Sequence, residues 1–379
     1  MRKYDFKPLF DGTRDILRDA FSNQINITNI SSADSSFQYE DKISILLHEY
    51  LSKKKSPFSP YFFTGSIKPR TLERVKQKLG AELTSGITLL PSATLSLNTL
   101  FIILRQWKIK KIAIISPYYF ISSNICRSLG MKHSILPVKN KNGILCLPVE
   151  EILKGGFDAV LITSPLYGTS EYYTKRLIDD IKLLQSEKRY FIFDEALALP
   201  GHELIRITKQ NDYIFCIYSP HKSIGINAFK FSAIISSANN EHILRENVET
   251  YVGGLNQTSV LAIEHYLSTS FNCCQKIYTE IIENSTKVLK DSLLKMNDNI
   301  AVFYGLGHYS SIIPKSDFPG NRYYLNAIAS CAQKDKIVFL PPWPFWDNGF
   351  KINMTYPSNE IAKAINCISK YFGINRFCH

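Results

Sequence analysis

The sequence predicts an α/β fold built on a mostly parallel β-sheet, and three observations support this. Short apolar runs recur between about residues 87 and 236. The stretches between them have helical patterns, as in LIDDIKLLQSE at 177–187. The runs also lack the alternation of polar and apolar residues that a half-exposed strand would have, so both faces of the sheet are covered. Strands that alternate with helices in this way are typical of α/β domains.

The predicted elements follow one another in a regular order. A helix at 71–80 ends at Gly80, a residue that commonly terminates helices. The predicted strands lie at 87–90, 110–117, 158–165, 189–196, 213–220 and 231–236. From about residue 255 a long helix is expected to run to about 295, and a smaller α+β tail follows and ends in a helix at 359–372.

The length predicts two domains. Single hydrophobic cores stop growing at about 250 to 300 residues, and this chain has 379. We expect a large domain at 50–255, and a small domain formed by 1–49 together with 256–379. The small domain would contain an N-terminal arm, the long linking helix and the C-terminal α+β part.

The charge indicates the kind of partner. Lysine and arginine number 45 against 33 acidic residues, which gives a net charge of +12 that is spread along the chain. This distribution favours an anionic small ligand, or simply a soluble basic surface, over a nucleic-acid stripe. No helix-turn-helix or RNA-binding signature stands out, so no nucleic-acid partner is expected.

Cysteine spacing and hydropathy predict a cytoplasmic protein without a metal site. The eight cysteines show no CxxC spacing and no pairing with histidines, which argues for reduced thiols. The N-terminus lacks an apolar signal core. The most apolar stretch, 87–104, is interrupted by Pro91 and Asn98 and is better explained as strand, turn and helix than as a membrane span.

Three predicted strand ends carry polar groups: SPLYGTS at 164–170, DEA at 194–196 and SPHK at 219–222. In open α/β sheets, ligands bind at the carboxyl ends of the strands. Lys222 is either a solvated surface charge or an amine that desolvation makes nucleophilic toward a carbonyl. Asp194 is either the cap of the next helix or an ionic partner for a ligand.

An aspartate and a lysine in this arrangement are the pair that pyridoxal phosphate requires. The lysine holds the aldehyde of the cofactor as a Schiff base, and the carboxylate keeps the ring nitrogen protonated so that the ring withdraws electrons. With this pair and its neighbours, the chain from about residue 55 to the C-terminus resembles the fold-type I, pyridoxal-phosphate-dependent aminotransferases of class I and II.

The resemblance implies a seven-stranded, mostly parallel sheet and a set of site residues. LLPSATLSLNTL resembles the family's phosphate-cradling turn and assigns Ser92, Ala93 and Thr94 to the cradle. SPYYF implies that Tyr119 stacks on the cofactor ring, although Tyr118 could exchange roles with it. The remaining implied cofactor-binding residues are Ser219 for the phosphate, Lys222 for the Schiff base, Asp194 for the ring nitrogen, and Tyr61 for the phosphate of a neighbouring subunit.

Several positions depart from the family's pattern. Lys230 and Lys351 stand where the family carries a phosphate-binding and a carboxylate-binding arginine, so the charge is kept but the bidentate fork is lost. Lys351 is therefore the expected substrate-binding residue, or else a strand-edge charge. Tyr167 and Leu197 replace an Asn and a Tyr that contact the ring oxygen of the cofactor. We hypothesise that Tyr167 replaces both of those donors.

The resemblance implies a homodimeric aminotransferase that moves an amino group between an amino acid or related amine and a keto acid. Lys222 and Asp194, with Tyr119 and Tyr167, are the predicted catalytic residues. Two alternatives stay open. One is a different reaction on the same cofactor, by a decarboxylase, an elimination lyase or a cyclase. The other is a non-catalytic regulator, which the presence of both the lysine and the aspartate disfavours.

Overall fold

The structure is a computed structural model. It describes residues 6–31, 37–54, 67–141, 144–168, 172–173, 176–185, 188–206, 211–293, 300–304, 307–314, 321–339 and 350–372. The chain divides into two compact units. The sheet unit comprises Leu46–Tyr167 and Tyr172–Gln275, and the terminal unit comprises Met1–Ile45, Gly168–Glu171 and Lys276–His379. The predicted domain boundaries at 49/50 and 255/256 stay a prediction.

The helices are α1 (Phe6–Ser22), α2 (Phe37–Ser52), α3 (Pro69–Leu79), α4 (Ala93–Gln106), α5 (Ile121–Ser128), α6 (Val149–Gly155), α7 (Arg176–Gln185), α8 (Pro220–Ser223), α9 (Ala238–Tyr251), α10 (Gln257–Tyr266), α11 (Thr269–Leu293), α12 (Asn321–Asp335) and α13 (Ser358–Phe372). The strands are β1 (Thr28–Asn29), β2 (Gly86–Leu90), β3 (Lys111–Ser116), β4 (Lys132–Pro137), β5 (Lys139–Lys141), β6 (Ile144–Cys146), β7 (Ala159–Thr163), β8 (Tyr190–Glu195), β9 (Ile214–Tyr218), β10 (Ser232–Ser236), β11 (Ile300–Tyr304), β12 (Tyr309–Pro314), β13 (Ile337–Val338) and β14 (Phe350–Asn353). A 3₁₀ turn lies at Leu204–Arg206.

The sheet unit is organised around one mostly parallel sheet, as the sequence predicted. In the described part of the chain this sheet has seven strands in the order β2-β10-β9-β8-β7-β3-β4. Strands β9, β8, β7, β3 and β4 run parallel, and β10 is antiparallel to both of its neighbours. All residues of β2, β7, β9 and β10 are buried, which explains the unbroken apolar runs in the sequence.

Local signals in the sequence fix the ends of two helices near this sheet. Pro69 opens α3, where its missing N–H costs nothing, and Gly80 closes it in a left-handed conformation with φ of 78°. Ser92 caps the start of α4 and its side chain accepts a hydrogen bond from the Leu95 amide at 3.3 Å. The turn between β2 and α4 is therefore held by the Ser92 side chain.

The terminal unit combines helices with two small sheets in its described residues. Strands β11, β12 and β14 form an antiparallel sheet in the order β11-β12-β14, and β1 pairs in parallel with β13. Helices α12 and α13 bury aromatic and aliphatic side chains, among which Tyr324 and Phe372 lie 5.4 Å apart between ring centres. This is the α+β composition expected for the C-terminal part.

One expectation differs from the structure. The single long helix predicted from about 256 to about 295 is two helices, α10 and α11, because the chain turns at Leu267 and Ser268. The Ser268 side chain accepts a hydrogen bond from the Phe271 amide at 3.3 Å and so caps the second helix. The N-terminal segment, expected to be an arm or a piece of the smaller domain, contains the helices α1 and α2.

The described residues contain no helix that is both long and apolar enough to cross a membrane. Within the same residues, no cluster of three or more His, Cys, Asp or Glu side chains is arranged to hold a metal ion. The cysteines that the structure describes are free thiols.

Candidate active site

The polar residues singled out in the sequence converge at one edge of the seven-stranded sheet. The parallel strands β3, β7, β8 and β9 have their carboxyl ends at this edge, and these lead into Tyr119, Tyr167, Asp194 and Lys222. Strand β2 also ends here, since both β2 and β9 are antiparallel to β10. Because β10 runs the opposite way, it begins at this edge, at Ser232, just beyond Lys230.

Lys222 lies on the single turn of α8, which follows β9. Its amine lies over the Tyr119 ring, with 5.0 Å between Nζ and the ring centre. Burial lowers the pKa of Lys222, while Asp194 acts to raise it and Lys230 to lower it further. A larger fraction of this amine is therefore uncharged near neutral pH than in an exposed lysine, and the uncharged amine is the nucleophile and the base.

Asp194 is buried near the end of β8, with only 3% of its surface exposed. Its carboxylate accepts a hydrogen bond from the Ala196 amide at 3.3 Å, so the helix-cap interpretation is replaced by a tight turn after the strand. Burial raises the pKa of Asp194, and the Lys222 charge acts to lower it. A buried carboxylate is stabilised by a nearby cation. The Lys222 ammonium or a protonated ligand nitrogen can supply it.

Tyr118 and Tyr119, which the sequence left interchangeable, have different environments. Tyr118 is buried and its hydroxyl is 2.6 Å from the Ser123 hydroxyl. Tyr119 is half-buried, its ring lies below the Lys222 amine, and the nearby Thr94 side chain acts to lower the pKa of its phenol against the effect of burial. Of the two tyrosines, Tyr119 is thus the one that presents a ring to the site.

Tyr167 follows β7 and lies beside Tyr119, with 6.0 Å between the ring centres. Burial, reinforced by the nearby Asp194 charge, raises the pKa of Tyr167 to about 12. The phenol therefore stays protonated at working pH and can donate a hydrogen bond. The next residue, Gly168, has φ of 83°, which other residues rarely adopt.

The start of α4 reaches the same place through Thr94. Ser92 and Ala93 form the first turn of this helix, and the Thr94 hydroxyl meets Tyr119. A helix start has unsatisfied amide N–H groups and a partial positive charge, both of which favour a phosphate. The three predicted cradle residues therefore lie at the edge that holds Lys222 and Asp194.

Ser219 and Lys230 lie on the same side of the sheet. The Ser219 hydroxyl donates to the Phe231 carbonyl at 3.1 Å, so its hydrogen is used within the protein and its oxygen can still accept. The Lys230 amine donates to the Asn227 carbonyl, and burial lowers the pKa of Lys230. Its own carbonyl accepts from the Ser259 hydroxyl at 3.3 Å, which connects it to the start of α10.

Lys351 belongs to the terminal unit, where it lies on β14 opposite Ser311 of β12. It is 7% exposed, its amine lies 4.5 Å from the centre of the Tyr309 ring, and burial lowers the pKa of Lys351 to about 8. A buried lysine of this kind is no ordinary strand-edge charge. Tyr61, predicted to serve a neighbouring subunit, lies outside the described residues.

Two contacts in the site were not foreseen from the sequence. One is the contact between the Thr94 side chain and the Tyr119 hydroxyl. The other is made by His221, which precedes Lys222 and points into the core, where its Nε2 lies 3.0 Å from His265 Nδ1. Nothing local in the sequence connects His221 with a residue on α10, because only the folded chain brings the two together.

Comparison with known proteins identifies the fold. No family model matches the sequence, and no curated protein matches it either. Among solved structures, kynurenine aminotransferase from Pyrococcus horikoshii is 12% identical, covers 97% of this chain and 94% of its own, and superposes with a TM-score of 0.75. A variant of Thermus thermophilus aspartate aminotransferase is 12% identical over 96% of each chain, with a TM-score of 0.74. Histidinol-phosphate aminotransferase from Clostridium acetobutylicum is 15% identical, covers 92% of this chain and 99% of its own, and has a TM-score of 0.68. The chain therefore has the aminotransferase fold that its sequence predicted.

Proposed function

We propose that this protein is a pyridoxal-phosphate-dependent aminotransferase whose covalent cofactor attachment is at Lys222. The observation that carries the proposal is the meeting of the Lys222 amine, the Tyr119 ring and the buried Asp194 carboxylate at one sheet edge. The three solved structures compared above are aminotransferases, and that of the Pyrococcus protein is a complex with pyridoxamine phosphate.

The side chains at this edge fit the cofactor in their chemistry. Asp194 provides a buried negative charge for a protonated ring nitrogen, and Tyr119 provides an aromatic face for the ring. The start of α4 and the Lys230 amine provide the donors and the charge that a phosphate needs. The uncharged Lys222 amine is the group that reacts with an aldehyde.

When bound, pyridoxal phosphate supplies an aldehyde that reacts with amines and a ring that withdraws electrons from the bond being broken. The chain supplies the proton movements. With the cofactor and a substrate amine bound, the free Lys222 amine would take the proton from the substrate α-carbon as a general base and then give it up again as a general acid. Its lowered pKa suits both roles near neutral pH.

The neighbouring residues hold the reacting groups in place. The Asp194 carboxylate would hold a proton on the ring nitrogen, and the Tyr167 phenol, whose raised pKa keeps it protonated, would donate to the ring oxygen in place of the missing asparagine and tyrosine. Lys351 is the proposed carboxylate-binding residue, and its single ammonium binds a carboxylate without the bidentate fork of arginine. We also infer a cytoplasmic homodimer, from the resemblance and from the reduced cysteines.

The test is a two-step transfer experiment with the purified protein. Pyridoxal phosphate is added, the visible absorption is recorded, and single amino acids are tried as donors, followed by a keto acid. An aminotransferase loses the absorption with a donor, releases the matching keto acid, and recovers the absorption as a new amino acid forms.

The controls separate this reaction from its alternatives. Lys222→Ala is expected to abolish transfer, while Lys182→Ala, an exposed lysine on α7, leaves it unchanged. Donor-dependent release of carbon dioxide, or of ammonia with loss of a side-chain group, would instead establish a decarboxylase or a lyase. A protein that never gains absorption with added cofactor contradicts the proposal.

A further inference from the structure

The residue before Lys222 belongs to a buried chain of hydrogen bonds that is separate from the reacting groups. His221 is fully buried, and its Nε2 lies 3.0 Å from Nδ1 of His265 on α10. His265 Nε2 in turn lies 3.2 Å from the hydroxyl of Ser270 on α11. This chain leads from the helical turn that carries Lys222 to α10 and to the first turn of α11, which belongs to the same unit up to Gln275.

The protons in this chain can be assigned from the partners. Among the described residues, His221 Nδ1 has no hydrogen-bond partner although it is buried. A buried N–H without an acceptor is more costly than a bare lone pair, so the His221 proton lies on Nε2 and is donated to His265 Nδ1. His265 then carries its proton on Nε2 and donates it to Ser270. Both rings are neutral and the chain runs in one direction.

The surroundings keep both rings neutral. The His221 ring is packed edge-on by Phe229, Phe231 and Phe271, at ring-centre distances of 5.3, 5.9 and 5.2 Å. Burial lowers the pKa of His265 to about 4 and that of His221 well below its usual value. An apolar enclosure of this kind disfavours an imidazolium.

The titratable groups that face the histidine pair either lower the pKa of the two rings further or are uncharged. Lys78 of α3 adds a positive charge that further lowers the pKa of both rings. Tyr50 of α2 meets the His265 ring at 4.8 Å, and burial raises the pKa of its phenol, so Tyr50 is uncharged near neutral pH. Lys222, which carries a positive charge when protonated, belongs to the same helical turn as His221.

Helix α8 needs such an anchor because it is a single turn, Pro220–Ser223. Isolated helices this short are unstable, so their geometry depends on tertiary contacts. His221 supplies one such tertiary contact through its ring and also closes the turn locally through its carbonyl. Its carbonyl accepts from the Ile224 and Ile226 amides at 3.2 and 2.9 Å, and its ring is held by His265.

We propose that His221 and His265 are a positioning pair that fixes the α8 turn and thereby holds the Lys222 amine in its enclosed place over Tyr119. Neither histidine takes part in proton transfer to the substrate. The pair matters for catalysis because, under the proposed function, Lys222 is the reacting amine.

The test measures the Lys222 amine directly in protein free of cofactor. Lysines are reductively methylated with formaldehyde and cyanoborohydride across a pH series, and peptide mass spectrometry gives the rate at each lysine. The variants are His265→Leu, which removes the acceptor, and His265→Asn, whose side-chain oxygen can accept from His221. His242→Asn on the exposed face of α9 is the matched control.

In wild type, in His265→Asn and in His242→Asn, the pH midpoint for methylation of Lys222 should be the same. It should be lower than the midpoint of an exposed lysine. In His265→Leu the loosened turn exposes the amine, and its midpoint should rise toward that of an exposed lysine by about one pH unit, a roughly tenfold slower reaction near neutrality. Lys182 serves as the internal reference. A folded His265→Leu protein with an unchanged Lys222 midpoint would overturn the proposal.

If His265→Leu does not fold, Ser270→Ala is used in its place, because it removes only the last acceptor of the hydrogen-bond chain. A smaller upward shift of the Lys222 midpoint supports the proposal, and an unchanged midpoint overturns it. Because no cofactor is present, this result is independent of whether the protein proves to be an aminotransferase.

Discussion

The Lys222 amine lies 5.0 Å from the centre of the Tyr119 ring, which places a cation over an aromatic face. Such contacts are worth about 0.5 to 2 kcal/mol, depending on how far the cation is desolvated. The ring and the amine come from the ends of two different strands, β3 and β9, so the sheet itself sets the contact. The same ring is the proposed stacking surface for the cofactor.

Replacing the Tyr119 ring should weaken cofactor binding. Tyr119→Leu removes the aromatic face, and the Kd for pyridoxal phosphate should rise about tenfold, the equivalent of about 1.4 kcal/mol. Tyr119→Phe keeps the face and loses only the hydroxyl contact with Thr94, so its Kd should stay within about threefold of wild type. Tyr251→Leu, an exposed tyrosine, is the control. Equal Kd values for wild type and all variants would show that the Tyr119 ring does not contribute to cofactor binding.

Removing the Asp194 charge should lower the pKa of Lys222. The carboxylate acts to raise that pKa, so in Asp194→Asn only burial and Lys230 remain, and both lower it. The asparagine oxygen can still accept from Ala196, which preserves the turn. Reductive methylation of Lys222 against pH should show a downward midpoint shift, and amino transfer should slow by about a hundredfold or more.

The control for this change is Asp15→Asn, which removes an exposed carboxylate on α1. It should leave both the Lys222 midpoint and the transfer rate at wild-type values. An Asp194→Asn protein with an unaltered Lys222 midpoint would contradict the electrostatic coupling between the two residues.

Tyr167→Phe tests whether this phenol replaces the two missing donors. The phenol is protonated below about pH 12, so it can donate to the ring oxygen of bound cofactor throughout the working range. Without that donor the ring oxygen holds the adjacent proton more tightly. The pH midpoint of the visible absorption should therefore rise by about one unit, as expected for one hydrogen bond to a charged group. An identical midpoint would show that Tyr167 is only a packing residue.

The buried histidine pair should make stability depend on pH. The folded-state pKa of His265, about 4, is below its ordinary value of 6.5, so the unfolded chain binds the proton first as pH falls. The stability that comes from the neutral His265 ring is fully present above pH 6.5 and is lost between pH 6.5 and 4. This contribution to the free energy of unfolding is at most about 3 kcal/mol.

Urea unfolding at pH 7 and at pH 4.5 measures this loss. His265→Asn should reduce this pH dependence without abolishing it, because its amide does not titrate while the buried His221 ring remains, whereas His242→Asn should retain the wild-type difference. Carboxylates titrate in the same range, and comparing the variants removes their common contribution. A His265→Asn protein with the full wild-type loss would show that this ring is not the source.

Much of the fold was predictable because the strands are buried on both faces. Strands β7, β8 and β9 were placed within one or two residues, since their apolar runs end at Pro165, Asp194 and Ser219. The convergence of Asp194 and Lys222 followed from the parallel sheet, whose carboxyl ends share one edge.

The remainder depended on contacts between distant parts of the chain. Local pattern could not separate Tyr118 from Tyr119, because the distinction lies in the bond of Tyr118 to Ser123. The break between α10 and α11 was missed, since Ser268 fits a helix until its side chain is seen to cap the next one. The His221 and His265 pair joins residues with no pattern of spacing between them.

The most direct test of the central claim is to trap the attachment of the cofactor. The protein is incubated with pyridoxal phosphate, reduced with borohydride and digested, and the peptides are mapped by mass spectrometry. The account predicts the reduced cofactor on Lys222, with no such modification in Lys222→Arg. Modification of a different lysine such as Lys230, or of none, would contradict it.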